Sequence, residues 1–135
     1  MDLYAENILD HYKHPRKKES LVTASISHEE KNLSCGDALK IDLMIEDGKV
    51  TQLGWNGEGC AISQAAMSIL AEELESKTVE EIESITPKNV YDLLGVPVGP
   101  RRFKCALLCL HTLKNALNLY GGKVAQSWTE TVAVE

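Results

Sequence analysis

No run of apolar residues in this chain is long enough to cross a membrane. Met1-Asp2-Leu3-Tyr4 also lacks the basic block and the apolar block that open a secretory signal. Both absences predict a cytoplasmic protein with no membrane partner. Positive charge is scarce as well. The net charge of −6 at pH 7 is the wrong sign for a chain whose main partner is nucleic acid. Cysteines number only four, at 35, 60, 105 and 109, and no two form a CxxC pair. In a reducing compartment they read as free thiols or ligands, not disulfides. No internal repeat or low-complexity tract interrupts the 135 residues, which fit one domain, 1–135, with one core.

What is present is an ordinary globular mixture, 44% hydrophobic and 25% charged. Asp2 can cap a helix over residues 2–13, with Tyr4, Ile8, Leu9 and Tyr12 at helical spacing. His14-Pro15 ends it, because a residue before proline avoids the helical region. Residues 16–24 are a polar connection, and 24–34 hold a short edge strand. Leu39, Ile41, Leu43 and Ile45 alternate with polar neighbours as a half-buried strand. Val50 to Asn56 form its hairpin partner, with Thr51, Leu53 and Trp55 on one face. A three-residue loop, Glu46-Asp47-Gly48, pairs Ile41 with Leu53 and brings the two apolar sets together.

Helical patterns follow from Ala61, from the capping-box segment Thr78-Val79-Glu80-Glu81, from Thr86-Pro87, and from Arg101 to about Tyr120. Gly121-Gly122 stop the last one. The tail, 121–135, reads either as an added strand or as a loose end. One helix, a small three-stranded antiparallel sheet and then a run of helices make an α+β fold, with the helices on one face of the sheet.

Three stretches stand apart from this scaffold. In Cys35-Gly36-Asp37 the glycine lets the chain turn so that both side chains face one centre. Gly57-Glu58-Gly59-Cys60 places a thiol at a helix N-terminus, where free N–H groups favour a thiolate. In Arg101-Arg102-Phe103-Lys104-Cys105 a thiol follows a cation that can stabilise it as a thiolate. Thiolates bind zinc, copper(I) and iron–sulfur clusters. Spacing alone favours three buried structural cysteines; the glycine, acid or lysine beside each, and the helix starts, shift the balance toward a site. Cys109, one turn after Cys105, reads as core. His11, His14, His28 and His111 lack ligand spacing. Of two basic clusters, Lys13 to Lys18 reads as a solvated face, and Arg101-Arg102 with Lys104 as a docking patch for an acidic partner protein.

These motifs, with the opening Asp10-His11-Tyr12-Lys13-His14-Pro15-Arg16, closely resemble the IscU/NifU N-terminal family of iron–sulfur cluster assembly scaffolds. The resemblance runs to about residue 120. It implies the IscU/SufE-like fold and a site of Cys35, Asp37, Cys60 and Cys105. That site would hold a transient [2Fe–2S] cluster, or zinc in the cluster-free form. It implies Cys105 or Cys35 as sulfur acceptor. The implied partners are a cysteine desulfurase, apo iron–sulfur acceptor proteins and an electron-donor ferredoxin. The implied role is a scaffold more than an enzyme. Lys104, where the IscU branch has histidine, is similar to the SufU branch, whose members relay sulfur with zinc; the SufU insertion between Cys60 and Cys105 is absent.

Overall fold

The computed structural model describes residues 3–133. The elements run α1 (Leu3–Lys13), β1 (Ile26–Asn32), β2 (Asp37–Glu46), β3 (Lys49–Glu58), α2 (Ala61–Leu74), α3 (Val79–Glu83), α4 (Pro87–Leu94), α5 (Phe103–Tyr120) and α6 (Trp128–Ala133). The sheet is antiparallel, in the order β1-β2-β3. The expected α+β architecture is therefore the observed one.

Asp47 and Gly48 both have positive φ, 51° and 74°, so the hairpin is a two-residue turn flanked by the Glu46–Lys49 pair. The three-residue loop expected from the sequence is not formed. Ile41 faces Trp55, not Leu53, and a bulge between Met44 and Ile45 shifts the ladder by one residue. Side-chain direction alternates with period two, so a register displaced by two positions still brings the apolar sets together. Leu39, Ile41, Leu43, Leu53 and Trp55 are all buried on that face.

Helices α2 and α5 lie against the same face. From Cys105 to Leu113 every residue of α5 is buried, making it the centre of the core. The inward side of α1 is Ile8 and His11, whereas Leu9 and Tyr12 of the expected stripe are largely exposed. Asp2, expected as its cap, and the Tyr4 side chain lie outside the described residues. Residues 16–25 run along the β3 edge, where the Trp55 N–H donates to the Lys17 carbonyl at 3.1 Å, and on to the other face of the sheet. Trp55 Nε1 donates to the Arg16 carbonyl at 2.7 Å, and the Leu21 N–H donates to Asp42 Oδ2 at 3.1 Å. Gly54 permits this, because a Cβ there would collide with the Glu19 carbonyl. Thr78 and Thr86 cap α3 and α4 through capping boxes, as the sequence predicts for Thr78.

The tail is neither a strand nor a loose end. Residues 128–133 form α6, and the Trp128 ring stacks on His111 of α5 at 4.1 Å. The His111 Nδ1 pairs with Thr131 Oγ1 at 2.6 Å. No helix among the described residues is long and apolar enough to cross a membrane.

Candidate metal centre

The loop between β1 and β2 is drawn tight by one carbonyl. Asn32 O accepts the N–H groups of both Cys35, at 3.2 Å, and Gly36, at 2.9 Å. Gly36 takes φ 71°, which a glycine adopts without strain. The turn leaves Cys35 exposed and starts β2 at Asp37, which is only 1% exposed. The carboxylate of Asp37 spans to the next element. Its Oδ1 accepts the Cys60 N–H at 2.8 Å, and its Oδ2 lies 3.9 Å from Cys60 Sγ. Gly59, with φ 144°, makes this approach possible, because a Cβ at that position would run into the Asp37 carboxylate.

Cys60 is the N-cap of α2, and its Sγ accepts the Ser63 N–H at 3.5 Å. A soft acceptor thus stands where a serine or aspartate oxygen is usual. Cys105 comes from the first turn of α5, is 3% exposed, and lies 3.4 Å from Cys35, sulfur to sulfur. That distance is well beyond a disulfide bond of about 2.05 Å, and all four cysteines are free. Ligand atoms of Cys35, Asp37 and Cys105 lie within 4.8 Å of one another. Cys60 joins them through the shared carboxylate. The donor set, three sulfurs and one oxygen, suits zinc or an iron–sulfur centre. Ligands at about 2.0–2.3 Å from one ion stand roughly 3.5 Å apart around a tetrahedron; the Cys35–Cys105 pair at 3.4 Å already has that spacing, whereas Cys60 Sγ, 3.9 Å from Asp37 Oδ2, stands outside the group of three.

Two expectations from the sequence change here. Burial, and then hydrogen bonding to Cys35, push the Cys105 thiol well above its ordinary range, so the metal-free thiol is protonated at neutral pH. Lys104 does not offset this. Adjacent helical residues point about 100° apart, and its Nζ lies 5.8 Å over the Trp128 ring. Cys109 is core, as expected. It is fully buried, its Sγ donates to the Ala106 carbonyl at 3.4 Å, and burial pushes its thiol up to about 12.

No histidine reaches the site. His11 ties α1 to α2, with Nδ1 2.7 Å from Ser68 Oγ and Nε2 3.3 Å from Glu72. His28 pairs with Glu30 at 2.6 Å. Asn32, whose carbonyl gathers the Cys35 loop, went unremarked in the sequence. The signal was there, since asparagine is a common turn-opening residue and stands three places before the cysteine.

With this geometry in view, the likenesses to known proteins can be placed. Residues 3–127 match the family model described as the NifU-like N terminal domain. The chain is 35% identical over 131 residues to the iron–sulfur cluster assembly scaffold protein IscU of Thermotoga maritima, covering 85% of this chain and 92% of that one. It is 30% identical over 132 residues to the zinc-dependent sulfurtransferase SufU of Bacillus subtilis, covering 85% and 89%. Among solved structures it is similar to FiSufU of Fervidobacterium islandicum, with a TM-score of 0.74, 29% identity, and 83% of this chain and 94% of that one covered. On the match across nearly its whole length, the chain belongs to the family of NifU-like N-terminal domains.

Proposed function

We propose that this protein is a cytoplasmic iron–sulfur cluster assembly scaffold that takes sulfur from a cysteine desulfurase and iron as substrates. It builds a [2Fe–2S] cluster and passes it to apo-proteins. Cys35, Asp37, Cys60 and Cys105 are the ligands, and the same four hold zinc when no cluster is present. The observation that carries this reading is the convergence of Cys35, Asp37 and Cys105 within 4.8 Å, with Cys60 bound to the same carboxylate. Zinc, where bound, supplies charge neutralisation that keeps the thiols ionised.

The chemistry divides among the residues. A thiolate of the site attacks the outer sulfur of the donor's persulfide, one S–S bond forms, the donor's S–S bond breaks, and the donor leaves as a thiolate. Making sulfide from that sulfur takes two electrons, which is the task of a ferredoxin-type donor. Asp37 is the one oxygen ligand among sulfurs and the weakest match for a cluster. It is the bond that opens first when cargo leaves. Arg101 and Arg102, both exposed, offer the desulfurase a positive surface beside the site.

A second reading, a zinc-dependent sulfur relay, is favoured by the Lys104-Cys105 pair and by the similarity to the SufU of Bacillus subtilis. Reconstitution with ferrous iron and sulfide separates the two, since a cluster absorbs in the visible and zinc does not. Metal analysis of single Cys→Ser variants tests the ligand set. Cys60→Ser and Cys105→Ser are expected to lose metal and Cys109→Ser to keep it. Full occupancy in either of the first two would refute the site.

A further inference from the structure

Cys35 Sγ and Cys105 Sγ meet at 3.4 Å although 70 positions separate them in the chain. One thiol is at the surface and the other is inside. Cys35 is exposed in the turn between β1 and β2, and Cys105 is 3% exposed in the first turn of α5. A disulfide bond is about 2.05 Å long, so the gap to close is roughly 1.3 Å. The surface partner is the one placed to move, because Leu33, Ser34, Cys35 and Gly36 are all exposed. The other two thiols are engaged elsewhere. Cys60 Sγ accepts the Ser63 N–H at 3.5 Å, lies 3.9 Å from Asp37 Oδ2, and stands outside the group of Cys35, Asp37 and Cys105. Cys109 is fully buried and donates to the Ala106 carbonyl.

We propose that Cys35 and Cys105 form a redox switch in the metal-free protein: a hydroperoxide joins them as a disulfide, which shuts the site to metal until a dithiol reductant reopens it. The shutting of the site rests on the ligand set proposed above, whereas the bond itself rests on the 3.4 Å contact. Exposure sets the order of events, because a peroxide arriving from water meets Cys35 first. The Cys35 thiolate attacks one peroxide oxygen. An S–O bond forms, the O–O bond breaks, and hydroxide leaves with the electron pair. The Cys105 sulfur then attacks Cys35 Sγ. The S–S bond forms, the S–O bond breaks, and the departing hydroxyl takes the Cys105 proton as water. Two thiols have been oxidised by two electrons and one peroxide reduced to the level of water. An accessible thiol with a second thiol poised to resolve it is the arrangement of reversible sensors, and the capture spares Cys35 from irreversible oxidation to the sulfinic acid. Bound metal would occupy both sulfurs, so metal and disulfide exclude each other.

The test treats the metal-free full chain with hydrogen peroxide, alkylates the remaining thiols, digests without reduction and maps cross-linked peptides by mass spectrometry. The expected product is the Cys35–Cys105 cross-link, formed also in Cys60→Ser and Cys109→Ser. In Cys105→Ser, Cys35 should run on to the sulfinic acid. Zinc uptake, read by chelator competition, should be lost on oxidation and return with dithiothreitol, and zinc added before the peroxide should suppress the cross-link. A main product joining Cys60 to either partner would overturn the proposal. So would a parent whose Cys35 becomes sulfinic acid while Cys105 stays free. A Cys35–Cys105 cross-link with zinc uptake intact would leave the bond standing, but would overturn both the shutting of the site and the ligand set on which it rests.

Discussion

Asp37 has two tasks, and its two oxygens divide them. One holds the Cys60 N–H at 2.8 Å; the other faces Cys60 Sγ at 3.9 Å. Replacement by alanine removes a proposed ligand and also strands a helix N-terminal N–H. Metal-free Asp37→Ala should therefore lose about 1–3 kcal/mol of stability, a melting temperature lower by roughly 3–10 °C for a chain this size. It should also bind zinc more weakly and hand cluster more slowly to an apo-ferredoxin. An unchanged melting temperature would show that the Oδ1 contact contributes nothing, and faster transfer would show that Asp37 is not the first bond to open. Gly59 gives a companion case. Gly59→Ala should weaken zinc binding at least as much as loss of the ligand, because its methyl would displace the carboxylate it faces, and chelator competition reads this directly. The four proposed ligands could be picked out of the sequence because their motifs resemble a known family's and because each sits in a local backbone setting, a Gly turn or a helix start; the structure groups three of them, Cys35, Asp37 and Cys105. Lys104 was misread because sequence adjacency to Cys105 says nothing about direction on a helix.

At the scale of elements, the strands and helices followed from periodicity, and the errors lie where tertiary packing decides. The hairpin turn and its bulge changed the register: beyond the bulge the parity is kept and Leu53 and Trp55 face inward as expected, but between bulge and turn it flips, so that Val50 is buried and Thr51, expected on that face, is exposed. The tail is the clearer lesson. Ser127-Trp128-Thr129-Glu130 is a local helix-start pattern that went unread, with the Glu130 N–H donating to Ser127 Oγ at 3.2 Å, and His111 then fixes α6 in place with a ring to stack on and a nitrogen for the threonine hydroxyl. Thr131→Val should therefore cost roughly 1–2 kcal/mol and expose the 121–135 segment to proteolysis, with metal content unaltered. A variant as resistant as the parent would mean that the aromatic stack and the Asn115–Gln126 hydrogen bonds hold α6 without the Thr131 hydroxyl. The separation is physical. The Thr131 contact of α6 falls on His111 in the middle of α5, while Cys105 belongs to the first turn of that helix, which α6 meets only through the Lys104 ammonium over the Trp128 ring.

For the whole molecule, pH is the probe that distinguishes the scaffold's own stability from its site. His11 is buried between α1 and α2, and burial, then the nearby Arg16, hold its pKa below the ordinary value of 6.5. Ser68 Oγ accepts the Arg16 N–H at 2.8 Å and pairs with His11 Nδ1 at 2.7 Å, while His11 Nε2 lies 3.3 Å from Glu72. The sign follows. Below pH 6.5 the unfolded chain binds a proton on His11 that the folded chain refuses until the lower folded pKa is reached. The contribution of His11 is therefore complete above pH 6.5 and is lost as pH falls from there toward the folded value. His111, also lowered by burial, adds a slope of the same sign. The depressed carboxylates Asp10 and Glu81, with ordinary values of 3.8 and 4.5, lose their contributions only at more acid pH. Between about pH 7.5 and 5 the histidines thus dominate the linkage. Urea midpoints of the metal-free protein should fall across this window, and the fall should be shallower in His11→Asn, which keeps a polar group of similar reach that does not titrate. Measuring the metal-free form matters, because loss of metal from protonating thiols would otherwise mimic the effect. Parallel pH profiles for the two proteins would mean that His11 titrates alike in the folded and unfolded chains, and that the Ser68–His11 contact tolerates the added proton.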